Sequence, residues 1–218
     1  MKTCSVKGCD RKYKSNGYCS RHYFQIYNHG MITSITKRTR LDPNEFIIVD
    51  DICWVLLYDN KCNEIARAKF DTKYYEYISD PRLKWYLTDT GYAVSDWCDE
   101  DGRHKIKLHE AIVQLSGQII KDNQLIDHKD RDKLNCLDDN LRICEHQQNE
   151  CNRVKNKNNT SGFKGVHWSK AANKWIAEIV VNYKNIYLGL FKIKEDAARA
   201  YNVAAIKYHG EFAVLNEV

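Results

Sequence analysis

Long apolar runs are missing from this chain of 218 residues, and nothing in it approaches the roughly 20 apolar residues that a membrane-spanning helix needs. The opening stretch MKTCSVKGCD also lacks the apolar core of a secretory leader. An intracellular protein with no membrane partner is therefore the expectation. No long internal repeat or low-complexity tract is evident, and length allows one domain or several small ones. The cysteines number nine, an odd count without a leader, which disfavours a disulfide framework and favours metal binding or buried thiols. Nor is there a large excess of one charge: the net value is +5, with basic ends and an acidic middle. Basic flanks suit a polyanion and an acidic middle suits a bound cation.

Three of the nine cysteines and one of the eight histidines stand close together at the start. Cys4, Cys9, Cys19 and His22 follow the spacing C-x4-C-x9-C-x2-H. Such a set, its last pair presented by one turn, meets the needs of a closed tetrahedral Zn²⁺ site. The segment has almost no apolar residues to bury, so metal would supply its reason to fold. With all four positions filled by protein, the role is structural. A basic, polar linker follows, NHGMITSITKRTRLDPNE.

The middle of the chain reads as β-rich. FIIVDDICWVLLYDN and EIARAKF are dense in β-branched and aromatic residues, KWYLTDTGYAVSDW reads as a hairpin about DTG, and HKIKLHEAIVQLSG as a strand running into a short helix that stops at Gly117. Cys53, Trp54, Trp85 and Trp97 are expected in or against the core. Beyond the polar linker VKNKNNTSGF, with its Asn, Ser and Gly, come three strand-like runs, then KEDAARAYNVAAIKYHG, an Ala-rich helix ending at Gly210. Its Ala197, Ala198, Tyr201, Ala204 and Ala205 share one side.

Between these regions lies LIDHKDRDKLNCLDDNLRICEHQQNECNR, residues 125–153. Phosphodiester hydrolysis needs a base to activate water and a divalent cation to hold the scissile phosphate. A neutral imidazole can be that base near pH 7, and an Asp carboxylate with an Asn carbonyl offers hard oxygen ligands for Mg²⁺. Adjacent strand residues point to opposite faces, so Asp127 and His128 can share one task only where the strand twists or ends.

The ordered pattern DH, short loop, NLR, then QN and NR resembles the HNH endonuclease motif in the form found in phage-encoded homing endonucleases. The resemblance implies a ββα-metal hairpin and helix. It implies His128 as general base, Asp127 and Asn149 as ligands of one Mg²⁺ or Mn²⁺, and Asn140 as the brace of the loop between the strands, with His109 in a supporting role. Arg142 and Arg153 are expected phosphate contacts. Two departures stand out: CLDD sits where many relatives carry basic residues, and the third motif position is Asn149 rather than His, with His146 one turn earlier and expected in solvent. Cys136, Cys144 and Cys151 lack the two-residue knuckle of a second zinc site.

Residues 161–216 resemble the Apetala-type, or ethylene-response-factor, DNA-binding domain. The landmarks are Gly165-Val166, Trp175, Ala177-Glu178-Ile179, Leu188-Gly189, Phe191, the AARAY run and HGEFAVLN. The resemblance implies a three-stranded antiparallel sheet laid in the major groove with a helix behind it, and implies that Lys164, His167, Trp175, Glu178 and Tyr187 face DNA. Family arginines correspond to Lys164, His167 and Val180, and the usual capping Thr is replaced near Ile193.

The expected fold class is α+β in several domains: a zinc-binding segment over 1–30, a linker over 31–43, an HNH nuclease domain over 44–154, a linker over 155–160 and the DNA-binding domain over 161–218. The expected function is site-directed cleavage of double-stranded DNA, by nicking or by cutting both strands, as monomer or dimer. The alternative is a sequence-specific DNA-binding regulator with an inactive nuclease domain. RNA is disfavoured, because a sheet that reads the major groove suits B-form duplex.

Overall fold

The computed structural model describes residues 3–6, 9, 11–29, 38–40, 42–156 and 158–218. It is a mixed α/β structure of several small sheets and helices. Most of the expected linker at 31–43 lies outside the described residues, as does position 157 of the one at 155–160. Among the described residues, no helix is long and apolar enough to cross a membrane.

The first helix, α1 (Ser20–His29), follows the Cys19 turn. Then β1 (Phe46–Val49), β2 (Ile52–Tyr58) and β3 (Glu64–Asp71) form an antiparallel meander. The run FIIVDDICW is thus two strands, reversed at Asp50, which adopts φ +53°. DTKYYEYISD forms a 3₁₀ turn and the one-turn helix α2 (Tyr75–Ile78), not anticipated from its aromatic, strand-like composition; Tyr74 and Ile78 are driven into the core there. A second meander joins β4 (Trp85–Leu87), β5 (Ala93–Asp99) and β6 (Gly102–Lys107), and β6 runs into α3 (Leu108–Leu115).

One core serves both meanders. Val55, Leu57, Phe70, Trp85, Leu108 and Ile112 belong to it, joined by Cys136 and Leu141 from the motif region. Cys53 and Trp85 are buried as expected, whereas Trp54 is only half-buried and Trp97 lies in the rim, stacked on His104 at 5.2 Å. The buried Asn44 ties the two sheets together: its Nδ2 donates to Leu56 O and Trp85 O, and its Oδ1 accepts from Trp85 N.

The motif forms a two-stranded hairpin of β7 (Gln124–His128) and β8 (Leu141–Glu145), followed by α4 (His146–Cys151), which lies against both strands. Its connecting loop is sewn to β3: Lys69 N donates to Leu134 O and Cys136 N to Lys69 O, each at 2.8 Å. The C-terminal region is the antiparallel sheet β9 (Val166–Ser169), β10 (Lys174–Val181) and β11 (Lys184–Phe191), with β10 central and α5 (Lys194–His209) across one face. Ala197, Ala198, Tyr201, Ala204 and Ala205 are the buried side of α5. Small side chains let it lie close on Val166, Ala177 and Ile179. Gly165, at φ +72°, is fixed by this approach: a Cβ would stand 2.1 Å from the Tyr201 ring and 2.5 Å from Glu178 O.

Candidate active site

Asp127 and His128 are the last two residues of β7, both buried, and the chain turns immediately after them. The strand ending relaxes the geometric conflict of neighbouring side chains on opposite faces. Opposite Asp127 on β8 stands Arg142. Its Nε and Nη2 donate to Asp127 Oδ2 at 2.9 and 2.7 Å. Asn152, at the end of α4, donates from Nδ2 to both carboxylate oxygens and to His128 O, at 2.9, 3.0 and 2.9 Å. Two neighbours thus hold the carboxylate, with Oδ2 carrying most of the load. Oδ1 accepts from Asn152 alone among the described residues, which leaves it a lone-pair direction for a cation.

His128 packs edge-on against His109 with ring centroids 4.9 Å apart, and Tyr92 closes the group at 5.1 Å from His109 and 6.3 Å from His128. Burial pulls the imidazole of His128 below its ordinary value, partly opposed by Asp127, Asp130 and Asp132. Burial and His128 itself take His109 down to about 3. Both rings are therefore neutral near pH 7. The buried Nε2 of His128 has no hydrogen-bond partner among the described residues.

Asn140, just before β8, uses its whole carboxamide on the loop. Nδ2 donates to Asp130 Oδ1 at 2.9 Å and to Asn135 O at 2.8 Å, and Oδ1 accepts from Asp130 N at 3.0 Å. Burial pushes the Asp130 carboxyl up, but hydrogen bonds from Asn135, Asp132 N and Asn140 hold it below its ordinary value. The CLDD stretch is anchored the same way: Asp138 accepts from Tyr74 Oη and Lys73 Nζ, and its own N donates to Asp71 Oδ2. The acid that stands where basic residues were expected is a tether between loop and β3.

Asn149 is half-buried on α4, and its side chain makes no hydrogen bond among the described residues. Asp127 and Asn149 together offer oxygen donors of the hard kind a small divalent cation takes. His146 is exposed, as expected. Arg153 is exposed and pairs with Glu150 at 2.7 Å. Arg142 is different: besides Asp127 it binds Glu211 O at 2.9 Å, and it is nearly buried, so its donors are not turned to solvent for a phosphate.

The N-terminal ligands converge. The ligand atoms of Cys4, Cys9, Cys19 and His22 all lie within 4.8 Å of one another, with Cys4 Sγ 3.2 Å and Cys19 Sγ 3.6 Å from His22 Nδ1, and Cys9 Sγ 3.9 Å from Cys19 Sγ. Two thiolates about 2.3 Å from one tetrahedral centre stand about 3.8 Å apart, so these spacings fit a single ion. This cluster can hold a metal. Among the described residues it is the sole grouping of three or more Cys, His, Asp or Glu ligands that can.

On the C-terminal sheet, strand alternation sorts the expected DNA-facing residues. His167, Glu178 and Tyr187 lie on the face away from α5, with Glu178 opposite Tyr187 and 3.6 Å from His167. Ile176, Val180 and Asn185 share that face. Trp175 does not. It is in phase with Ala177, pairs with Trp168 and Phe191, and packs into the core under α5, its ring 5.0 Å from Trp168. Lys164 is turned away as well: its ammonium donates to Cys151 O, at the end of α4, and to Arg153 O just beyond it, at 2.6 and 2.5 Å. Burial there lowers its pKa.

Asn152, Tyr92, Asp130 and Asn135 escaped the sequence reading. Asn152 alone had a signal: it is the Asn of the NR pair that closes the motif, just past the end of α4.

Comparison with known proteins finds similarities to both the nuclease-like and the C-terminal parts of the chain, among them the following three. The chain is 31% identical over 188 residues to an uncharacterized HNH endonuclease of Acanthamoeba polyphaga mimivirus, covering 85% of this chain and 92% of that protein. It is 31% identical over 107 residues to Protein 3.8 of Escherichia phage T7, which is 49% of this chain and 88% of that one. A stretch of 56 residues, 25% of this chain, is 45% identical to the AP2-like ethylene-responsive transcription factor ANT of Arabidopsis thaliana, of which it spans 10%. No family model matches the chain.

Proposed function

The chain belongs to the HNH endonuclease family and carries an AP2-like C-terminal region, and from that premise we propose that it hydrolyses phosphodiester bonds of double-stranded DNA at sites chosen by that region. The observation that supports the cutting role most directly is the end of β7, where Asp127 and a neutral, buried His128 stand side by side beneath α4. In this reading His128 takes the proton from the attacking water. Asp127 and Asn149 hold one Mg²⁺ or Mn²⁺, which when bound neutralises charge on the phosphate and the leaving oxygen. Asn140 keeps the loop after His128 in place, and His109 and Tyr92 pack His128 into one orientation. Arg153 is the remaining phosphate contact. DNA is read by the outer sheet face through His167, Glu178 and Tyr187, with Trp175 and Lys164 supporting that face from behind. Cys4, Cys9, Cys19 and His22 hold a structural Zn²⁺. The working units are 1–30, 44–154 and 161–218, joined through 31–43 and 155–160, in a homing-type enzyme acting inside the cell.

The decisive measurement is Mg²⁺-dependent cleavage of duplex DNA by His128→Ala. Loss of a general base costs about 10²- to 10⁴-fold in rate, with DNA affinity in a gel shift unchanged. Full cleavage by this variant overturns the assignment, and a wild-type chain that binds duplex but never cuts it favours the regulator instead. Metal analysis should find one zinc per chain.

A further inference from the structure

Arg142 joins two parts of the molecule that the sequence keeps 69 residues apart. On one side its Nε and Nη2 hold Asp127 Oδ2. On the other its Nη1 donates to Glu211 O at 2.9 Å and reaches Glu211 Oε2 at 3.4 Å, while the guanidinium carbon lies 3.7 Å from the centre of the Phe212 ring. Glu211 and Phe212 form the 3₁₀ turn that follows α5, and Phe212 is buried. Every nitrogen of the guanidinium is engaged, and its flat face is covered.

We propose that Glu211 and Phe212 are positioning residues for the cation site: they fix the Arg142 guanidinium, which fixes Asp127 Oδ2 and presents Oδ1 to the divalent ion. This rests on the reading of Asp127 as a metal ligand. The physical reason is that a guanidinium is a rigid plane with a forked edge. Held by a ring face and a backbone carbonyl at one end, it can place a carboxylate at the other within a few tenths of an ångström. A lysine here would keep the charge but lose both the fork and the stack. The DNA-reading region thereby completes the cutting centre, and by linkage whatever strengthens one contact strengthens the other.

The test is Mn²⁺ binding to the full-length, zinc-loaded protein without DNA, read by calorimetry or electron paramagnetic resonance. Asp127→Asn should lose the ion. Arg142→Lys should weaken binding about tenfold, the usual scale for a partner that orients a ligand. Phe212→Leu should weaken it about threefold, and Phe212→Tyr, which keeps the ring face, should bind as wild type. Arg142→Lys combined with Phe212→Leu should equal Arg142→Lys alone, because the two act in series. Thermal melts check that each variant folds, and Phe212→Met, closer in volume, replaces Phe212→Leu if that one does not. Wild-type affinity in the ring-less variant, or effects that add in the double variant, overturns the proposal while leaving Asp127 as ligand. Unchanged binding in Asp127→Asn overturns the ligand reading itself.

Discussion

The hairpin and helix of 124–152 and the sheet and helix of 161–216 are both small ββα or βββα units, yet they cohere by opposite means. The first is held by polar side chains: Asp127, His128, Asn135, Asn140 and Asn152 are all buried, and among them they bind loop, strand and helix end. The second is held by closeness: alanines on α5 and Gly165 on the strand entry bring helix and sheet together with almost no buried polar chemistry. A unit that must present a carboxylate and an imidazole has to bury polarity and satisfy it atom by atom. A unit that only presents a surface can be assembled from small apolar contacts.

The largest expected effect falls on the unit built from closeness. Gly165→Ala adds a Cβ 2.1 Å from the buried Tyr201 ring in a backbone conformation that disfavours any side chain. With no room to relax, the cost is about 3 kcal/mol or more, on the scale of overpacking plus backbone strain. A thermal melt measures it. A loss below about 1 kcal/mol would mean that helix and sheet are not close-packed, and the contrast between the units would fail.

Asn140→Ala strikes the polar unit next. It leaves the buried Asn135 O without its donor and takes one partner each from Asp130 N and Asp130 Oδ1 on the exposed Asp130, whose Oδ1 keeps Asp132 N, so a loss of about 1 to 2 kcal/mol follows. The sign with pH sharpens this. Asp130 has a depressed folded pKa, so its contribution is full above the unfolded value of about 4 and is lost as pH falls through the folded one. The gap in stability between wild type and Asn140→Ala should therefore narrow on going from pH 6 to pH 3. A gap that widens in acid would show that Asn140 does not act through Asp130.

Legibility in the sequence followed the same division. Most strands, the hairpin about DTG and α5 up to Gly210 were readable because composition, periodicity and punctuation agreed there, whereas the reversal at Asp50 and the helix at Tyr75–Ile78 were not. The convergence of Cys4, Cys9, Cys19 and His22 was readable from spacing alone. Trp175 was misassigned to the outer face although period-two alternation with Ala177 and Ile179 puts it under the helix. Resemblance suggested a reader where alternation pointed to a core residue. Lys164 and Arg142 were out of reach for another reason. Their partners, the backbone at the end of α4 and the turn at Glu211, come near only through tertiary packing, and an isolated basic residue carries no mark of whether it meets a phosphate or a carbonyl.

The smallest effect has the opposite sign. Helix α5 begins at Lys194 and is preceded by Ile193, which sits in the extended conformation of a capping residue, φ −111° and ψ 132°, with a side chain that can accept nothing. The first backbone N–H groups of this sixteen-residue helix thus receive no side-chain cap from Ile193. Ile193 is half or more exposed, so removing its side chain costs little burial. Ile193→Asp supplies an acceptor and a negative charge at the positive end of the helix, and should stabilise the C-terminal unit by about 1 kcal/mol. Added salt should erode the charge share of that gain and leave the hydrogen-bond share. If the variant melts at or below wild type, Ile193 is making a contact worth more than a cap, and α5 is held at its start by packing as closely as it is at Gly165.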